Sequence, residues 1–139
     1  MKKTDKILVT GASGFIGSRL VKSLYEGGFT DIRATSWSRD LRNDFEGCEN
    51  IEFLKGNLQD ADFCEIVSKD IDVIFHCAAN TSNALDTKFN PLLHVTPNIE
   101  MNVNLMEQSW RNKVRKFMFI SSNTTYPDIG GEYCTEDMN

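Results

Sequence analysis

Ile7-Leu8-Val9-Thr10-Gly11-Ala12-Ser13-Gly14-Phe15-Ile16-Gly17 is the stretch whose reading decides the fold. The aliphatic run Ile7 to Val9, ending at Thr10-Gly11, has the pattern of a short strand buried on both faces of a parallel sheet. Beyond the glycines, Ile16, Leu20 and Leu24 recur at helical spacing until Gly27-Gly28, residues suited to a helix C-terminus. The unit is therefore strand, glycine turn, helix. In that setting the glycines have a specific use. Bare backbone N–H groups at a helix N-terminus hold a pyrophosphate, and a side chain on Gly11, Gly14 or Gly17 would obstruct either the anion or the packing of helix on strand. The candidate contacts along this turn are Gly11, Ser13, Gly14, Phe15, Ile16 and Gly17.

Working outward, further strands are expected over Ile32–Trp37, Ile51–Leu54, Val73–Ala78 and Phe117–Ile120. Between them, Phe63, Ile66 and Val67 mark one helix face, and Ile99, Val103, Met106 and Trp110 mark a longer one at core spacing. Strands alternating with helices predict right-handed crossovers and an α/β fold, a Rossmann-type doubly wound parallel sheet with strand order 3-2-1-4-5. From Pro127 to Asn139 the periodicity gives way to polar and turn-forming residues. The expectation is one nucleotide-binding domain over 1–139 that stops after its fifth strand.

The bulk properties narrow the partners. A chain of 139 residues with 40% hydrophobic content supports one core, and a net charge of -5 argues against a broad grip on nucleic acid or an anionic membrane. Cys48, Cys64, Cys77 and Cys134 form no C-x-x-C pair and have no His at ligand spacing, so no metal site is expected; reduced thiols in a cytoplasmic protein suit them better. Ile7 to Val9 is too short for a signal peptide or membrane span. A small molecule is the expected partner.

Four segments, in order, carry a resemblance to a known family. Thr10 to Gly17, spaced G-x-x-G-x-x-G, resembles the coenzyme fingerprint of the extended short-chain dehydrogenase/reductases, the epimerases and dehydratases of nucleotide sugars. Gly56-Asn57-Leu58 is similar to the family's adenine-contacting G-D-L turn, with Asn in place of Asp. Asp72-Val73-Ile74-Phe75-His76-Cys77-Ala78-Ala79 resembles its D-x-V-x-H-x-A-A signature, where small side chains let the coenzyme lie close. Asn98 falls where the family keeps an Asn, and Ser121-Ser122-Asn123-Thr124-Thr125-Tyr126-Pro127 is similar to its S-S-x-x-V-Y-G segment. The Tyr126-Pro127 ending is closer to the GDP-L-fucose synthase branch. The resemblance implies coenzyme contacts at Asn57, Leu58, Cys77, Ala78, Ala79, Asn98 and Ser121, and a catalytic role for Ser122, hydrogen-bonded to the reacting oxygen of a nucleotide sugar. His76 is expected to be structural or to flank the coenzyme.

The same resemblance implies a Tyr-x-x-x-Lys acid/base pair, since that spacing puts both side chains on one helix face. Four residues beyond Tyr25, Tyr126 and Tyr133 stand Phe29, Gly130 and Asp137. The expectation is therefore a chain that ends before the pair, binds coenzyme weakly and does not turn over alone. At the end of the second strand, Ser36-Trp37-Ser38-Arg39 has no carboxylate for a ribose hydroxyl, while Arg39 offers planar donors to a 2′-phosphate; with Ser38 it favours NADP over NAD. Two rival readings are a non-catalytic NAD(P)-binding or interaction module, and a reductase of non-sugar carbonyls. An apolar patch near Phe117 and Phe119, with no further helix to cover it, predicts self-association.

Overall fold

The computed structural model describes residues 1–48, 50–81, 89, 90, 92–122, 130 and 135. Along the chain come β1 (Ile7–Thr10), α1 (Phe15–Glu26), β2 (Ile32–Ser36), β3 (Ile51–Lys55), α2 (Ala61–Ser68), β4 (Val73–His76), α3 (Leu92–Arg111) and β5 (Lys116–Phe119), with a 3-10 turn over Arg42–Phe45. The described strands form one five-stranded parallel sheet in the order β3-β2-β1-β4-β5, the expected topology.

Alternation along the strands divides the core between the two faces of the sheet. Ile7 and Val9 of β1 join Ala34, Val73 and Phe75 against Val21 and Leu24 of α1. Leu8 and Ile74 turn the other way, against Cys64 and Val67 of α2 and Met101 and Leu105 of α3. α1 ends as its sequence dictates, with Gly28 at φ +82, a left-handed conformation that glycine adopts at little cost. α2 starts at Asp60, whose Oδ1 accepts the Asp62 N–H at 2.9 Å. Its other end is capped from the sheet. Arg33 of β2, buried, donates through one guanidinium nitrogen to the carbonyls of Ile66 (3.2 Å), Val67 (2.9 Å) and Lys69 (2.9 Å), and through Nε to Glu52 of β3 at 2.7 Å.

Three expected helix faces are corrected. In α1 the inward residues are Gly17, Val21 and Leu24, and Ile16 is exposed, because the helix lies too close to Ala12 and Gly11 to seat a large side chain at its first turn. In α2, Cys64 and Val67 are buried and Ile66 is exposed. In α3 the correction is larger: Ile99, Val103, Met106 and Trp110 all face outward, Trp110 at 80% exposure, and the buried stripe is Met101, Leu105 and Ser109. α3 has two apolar stripes, and the one with fewer apolar residues packs inward because its polar neighbours find partners there. Strand ends also shift. β2 stops at Ser36, β4 at His76, and β5 covers Lys116–Phe119. Phe117 is half-buried, while Phe119 is exposed.

Candidate functional site

The sheet order reverses between β1 and β4, and beyond the carboxyl ends of β1, β2 and β4 the chain leaves a cleft of about 390 Å³. Ligands of open α/β sheets bind in a crevice at such a switch point. Its wall is the glycine turn. Gly11 has φ +65, and a Cβ there would stand 2.6 Å from Ala78 Cα and 2.7 Å from Ala78 N; only glycine lets β1 run this close to the turn after β4. At Gly17 a Cβ would meet the Gly11 carbonyl oxygen at 2.3 Å, so this glycine lets α1 sit on the turn.

The first turn of α1 has orphan N–H groups, with no side-chain cap at Gly14 and no acidic residue nearby. Those amides and the aligned peptide dipoles give this end a partial positive charge that favours an anion. α2, by contrast, has its N-terminal turn capped by the Asp60 carboxylate, which accepts the Asp62 N–H.

Thr10 lies beneath the turn, fully buried. Its buried Oγ1 lies 3.2 Å from the backbone nitrogens of Cys77 and Ala78 and 2.7 Å from Nδ1 of His76. Nε2 of His76 is 2.8 Å from Oδ1 of Asn102 on α3. Burial pushes the His76 imidazole below its ordinary pKa, with the Asn102 hydrogen bond acting in the opposite sense. Burial also pushes the half-buried Cys77 thiol up, which leaves it protonated and a poor nucleophile.

The other end of the cleft is built by β2 and β3. Trp37 lines it at 71% exposure. Thr35 Oγ1 is buried at the same wall and has no hydrogen-bond partner among the described residues. Asn57 Oδ1 accepts the Gln59 N–H at 3.0 Å, and the Cys64 thiol donates to the Leu58 carbonyl at 3.1 Å, which hold the turn after β3. Burial pushes Cys64 up to about 12, with Asp60 adding to the effect.

Of the residues expected from the sequence, Gly11, Ser13, Gly14, Ser38, Asn57, Leu58, Cys77, Ala78 and Ala79 come together around this cleft. Phe15 and Ile16 do not; both side chains point to solvent. Gly17 acts beneath the turn. Asn98 does not line the cleft either: its Oδ1 accepts the Asn80 N–H at 2.8 Å and its Nδ2 donates to the Asn80 carbonyl at 2.9 Å, bracing the loop that does. Arg39 is bonded to Asp44 at 2.7 Å and borders a neighbouring hollow with Arg42 and Lys55. Ser121 and Ser122 follow β5, exposed, and are not among the residues lining the cleft. Tyr126, Pro127, Tyr133 and Cys134 lie outside the described residues. Sequence reasoning missed Thr35, Trp37, Asn80, Pro97 and Met101 as lining residues; only Trp37, an aromatic among polar residues past a buried strand, carried a signal. Among the described residues, no cluster of His, Cys, Asp and Glu is suited to hold a metal ion, and no helix is long and apolar enough to cross a membrane.

The sequence model of the NAD dependent epimerase/dehydratase family matches residues 7–138. The chain belongs to that family. It is 34% identical over 140 residues to a UDP-glucose 4-epimerase of Vibrio cholerae, covering 98% of this chain and 41% of that protein. It is 31% identical over 130 residues to a 3 beta-hydroxysteroid dehydrogenase/Delta 5-->4-isomerase of Mycobacterium tuberculosis, covering 91% of this chain and 34% of that one. Among solved structures, a UDP-N-acetylglucosamine 4-epimerase from Methanobrevibacter ruminantium, in complex with UDP-N-acetylmuramic acid, superposes with a TM-score of 0.80 at 29% identity, over 99% of this chain and 44% of that one. The chain thus spans well under half the length of these relatives. Three features fit the dinucleotide that the family's name implies: the glycine wall that a Cβ would fill, the uncapped helix terminus, and the orphaned Thr35 hydroxyl.

Proposed function

We propose that residues 1–139 form a single NAD(P)-binding domain, the coenzyme half of a nucleotide-sugar epimerase, reductase or dehydratase. The observation that carries this reading is the cleft at the β1/β4 switch, walled by Gly11, which tolerates no side chain, and open to the first-turn amides of α1. Gly11, Ser13 and Gly14 would hold the pyrophosphate; Trp37, Ser38, Asn57 and Leu58 the adenosine; Cys77, Ala78 and Ala79 the nicotinamide side. The bound coenzyme supplies or accepts hydride. Ser122 would orient the sugar oxygen that loses or gains the proton. With no Lys four residues beyond any Tyr, these residues bind coenzyme without turning over substrate. The unpaired Cys48, Cys64 and Cys77 suit a reducing cytoplasm.

NADP is proposed over NAD. Ser36 stands at the end of β2, where an NAD site places an acid, and its hydroxyl is spent on the Arg39 carbonyl. The Arg39 guanidinium is held nearby by Asp44, and a 2′-phosphate would compete for it. Calorimetric titration with NADPH and NADH, repeated with Arg39→Ala, tests both claims. A preference for NADPH that the substitution abolishes is expected, and equal affinities before mutation refute the NADP assignment. Binding of neither coenzyme refutes the reading as a whole.

The steroid dehydrogenase relative favours a second reading, reduction of a non-sugar carbonyl. Titration of the coenzyme-loaded chain with UDP-glucose, a GDP-linked sugar and a steroid ketone separates the two and reports the base and sugar preferred. The Tyr126-Pro127 pair is the feature that favours the GDP-linked branch.

A further inference from the structure

The hydrogen bonds beneath the glycine turn can be satisfied in only one way. A threonine hydroxyl has one proton and two lone pairs. The N–H groups of Cys77 and Ala78 both donate to Thr10 Oγ1, at 3.2 Å each, and these take the two lone pairs. The single hydroxyl proton must then point at His76 Nδ1, 2.7 Å away, which makes Nδ1 an acceptor and places the ring proton on Nε2. Nε2 in turn faces Asn102 Oδ1 at 2.8 Å, an oxygen that only accepts. Each link fixes the next, starting from an amide on α3.

We propose that Asn102 and His76, neither of which lines the cleft, are positioning residues for the coenzyme: Asn102 selects the tautomer of His76, His76 aims the Thr10 hydroxyl, and Thr10 then holds the Cys77 and Ala78 amides against Gly11. The proposal rests on the coenzyme reading and deepens it. The place it controls leaves no room for a side chain, since the Gly11 Cα hydrogen points at Ala78 where a Cβ would sit 2.6 Å from its Cα. A turn after β4 that lost one of its two bonds to Thr10 would move the wall facing the glycines.

Protonation tests this logic, because an imidazolium has N–H on both nitrogens. Nδ1–H would then donate to Thr10 Oγ1 and leave one lone pair for two amides. Facing the ring are Thr10 of β1, Asn102 of α3 and the rings of Phe117 and Phe119 of β5, the latter at centroid distances of 5.9 and 5.7 Å. These carry no charge. The chain neighbour Cys77 has its thiol pushed up by burial, so it is neutral as well. Burial of His76 keeps the ring neutral at ordinary pH.

The experiment uses the 139-residue chain labelled with 15N-histidine, with NADH and NADPH as the probes. In the wild type, nitrogen shifts should report the Nε2–H tautomer. Asn102→Asp keeps the side-chain shape but stabilises the imidazolium. It should raise the His76 pKa and weaken coenzyme binding about tenfold below that pKa, with recovery above it, over a titration from about pH 6 to about pH 9. Should Asn102→Asp fail to fold, Thr10→Val loses about tenfold in affinity and Thr10→Ser restores it, because serine keeps the hydroxyl that valine replaces with a methyl. An Nδ1–H tautomer in the wild type overturns the proposal. So does a charged His76 in Asn102→Asp with unchanged affinity at every pH, or equal binding by the valine and serine variants. If the wild type binds neither coenzyme but shows the Nε2–H tautomer, the coenzyme reading has failed and the hydrogen-bond relay stands as a purely structural one.

Discussion

Replacing Gly17 by alanine probes the approach of α1 to the glycine turn. At an open helix position the change would stabilise by about 1 kcal/mol, because glycine surrenders the most backbone entropy on folding. Here the new Cβ would fall 2.3 Å from the Gly11 carbonyl oxygen, 2.8 Å from Gly11 C and 3.0 Å from Ala12 Cα. All three are backbone atoms, so no flexible side chain can yield and the helix must withdraw. Overpacking of a tight interior costs about 1–3 kcal/mol, and contacts this short call for the upper end. Offsetting about 3 kcal/mol of strain by about 1 of propensity leaves a net loss of about 2 kcal/mol. In a chain of this size that lowers Tm by roughly 6–10 °C. Thermal unfolding followed by circular dichroism reads the stability, and calorimetry with NADPH reads the site, whose α1 amides retreat with the helix. Gly28→Ala is the control: its φ is +82 but nothing lies within 4 Å of the added carbon, so it loses stability without losing affinity. A Gly17→Ala protein as stable as the wild type, or one that binds coenzyme as tightly, would refute the reasoning.

Arg33→Met removes the donor to the Ile66 and Val67 carbonyls of α2 and that of its C-cap Lys69 and should cost about 2–3 kcal/mol in denaturant unfolding; a change within error would show that water serves those carbonyls equally well. Acid should act in two stages. His76 has its pKa held below the ordinary 6.5, by burial first, so the unfolded chain binds that proton more readily; its contribution is complete above 6.5 and is lost as pH falls through the folded value. Asp5 is held below the ordinary 3.8, first by the Lys2 backbone N–H and also by Arg115, so its contribution is complete above 3.8 and lost as pH falls through its lower folded value. His76→Gln should flatten the upper stage and Asp5→Asn the lower one in stability measured against pH, and an unaltered profile in either variant counts against that assignment. The outward apolar stripe of α3, with Phe119 and Ile120, should drive self-association, measurable by light scattering and weakened by Val103→Glu with Trp110→Glu. A wild type that stays monomeric at high concentration contradicts this.

Much of the fold was legible because its signals are local. Ile7 to Val9 can be fully apolar only if both faces of β1 are covered, and from that strand and the glycine turn the parallel order follows with few alternatives. The wall of the cleft was legible for the same reason: Gly11, Gly14 and Gly17 have a use in only one arrangement. Strand ends were read a residue or two too far, because Trp37, Cys77 and Ala78 continue the composition of a strand while their backbone has already turned into the site. Arg39 reads as a free cation in the sequence, since its partner Asp44 is brought to it by the 3-10 turn over Arg42–Phe45, which has no periodic signature.

The misreading of α3 points back to the site. Apolar periodicity favours Ile99, Val103, Met106 and Trp110 as the buried face, and by hydrophobic transfer alone that face should win. It does not, because the opposite face carries Asn98 and Asn102, each with a partner fixed by the sheet: the backbone of Asn80 and the ring of His76. Rotating α3 to bury the richer stripe would leave the buried His76 Nε2 unpaired, at a cost of about 1–3 kcal/mol, and would release the exposed Asn80 backbone to water. That buried group offsets about one apolar side chain, and the outward stripe can still be covered by a second protein surface. A helix that turns asparagines inward and leaves tryptophan outside is oriented by the loop and strand end it braces, and both border the proposed coenzyme cleft.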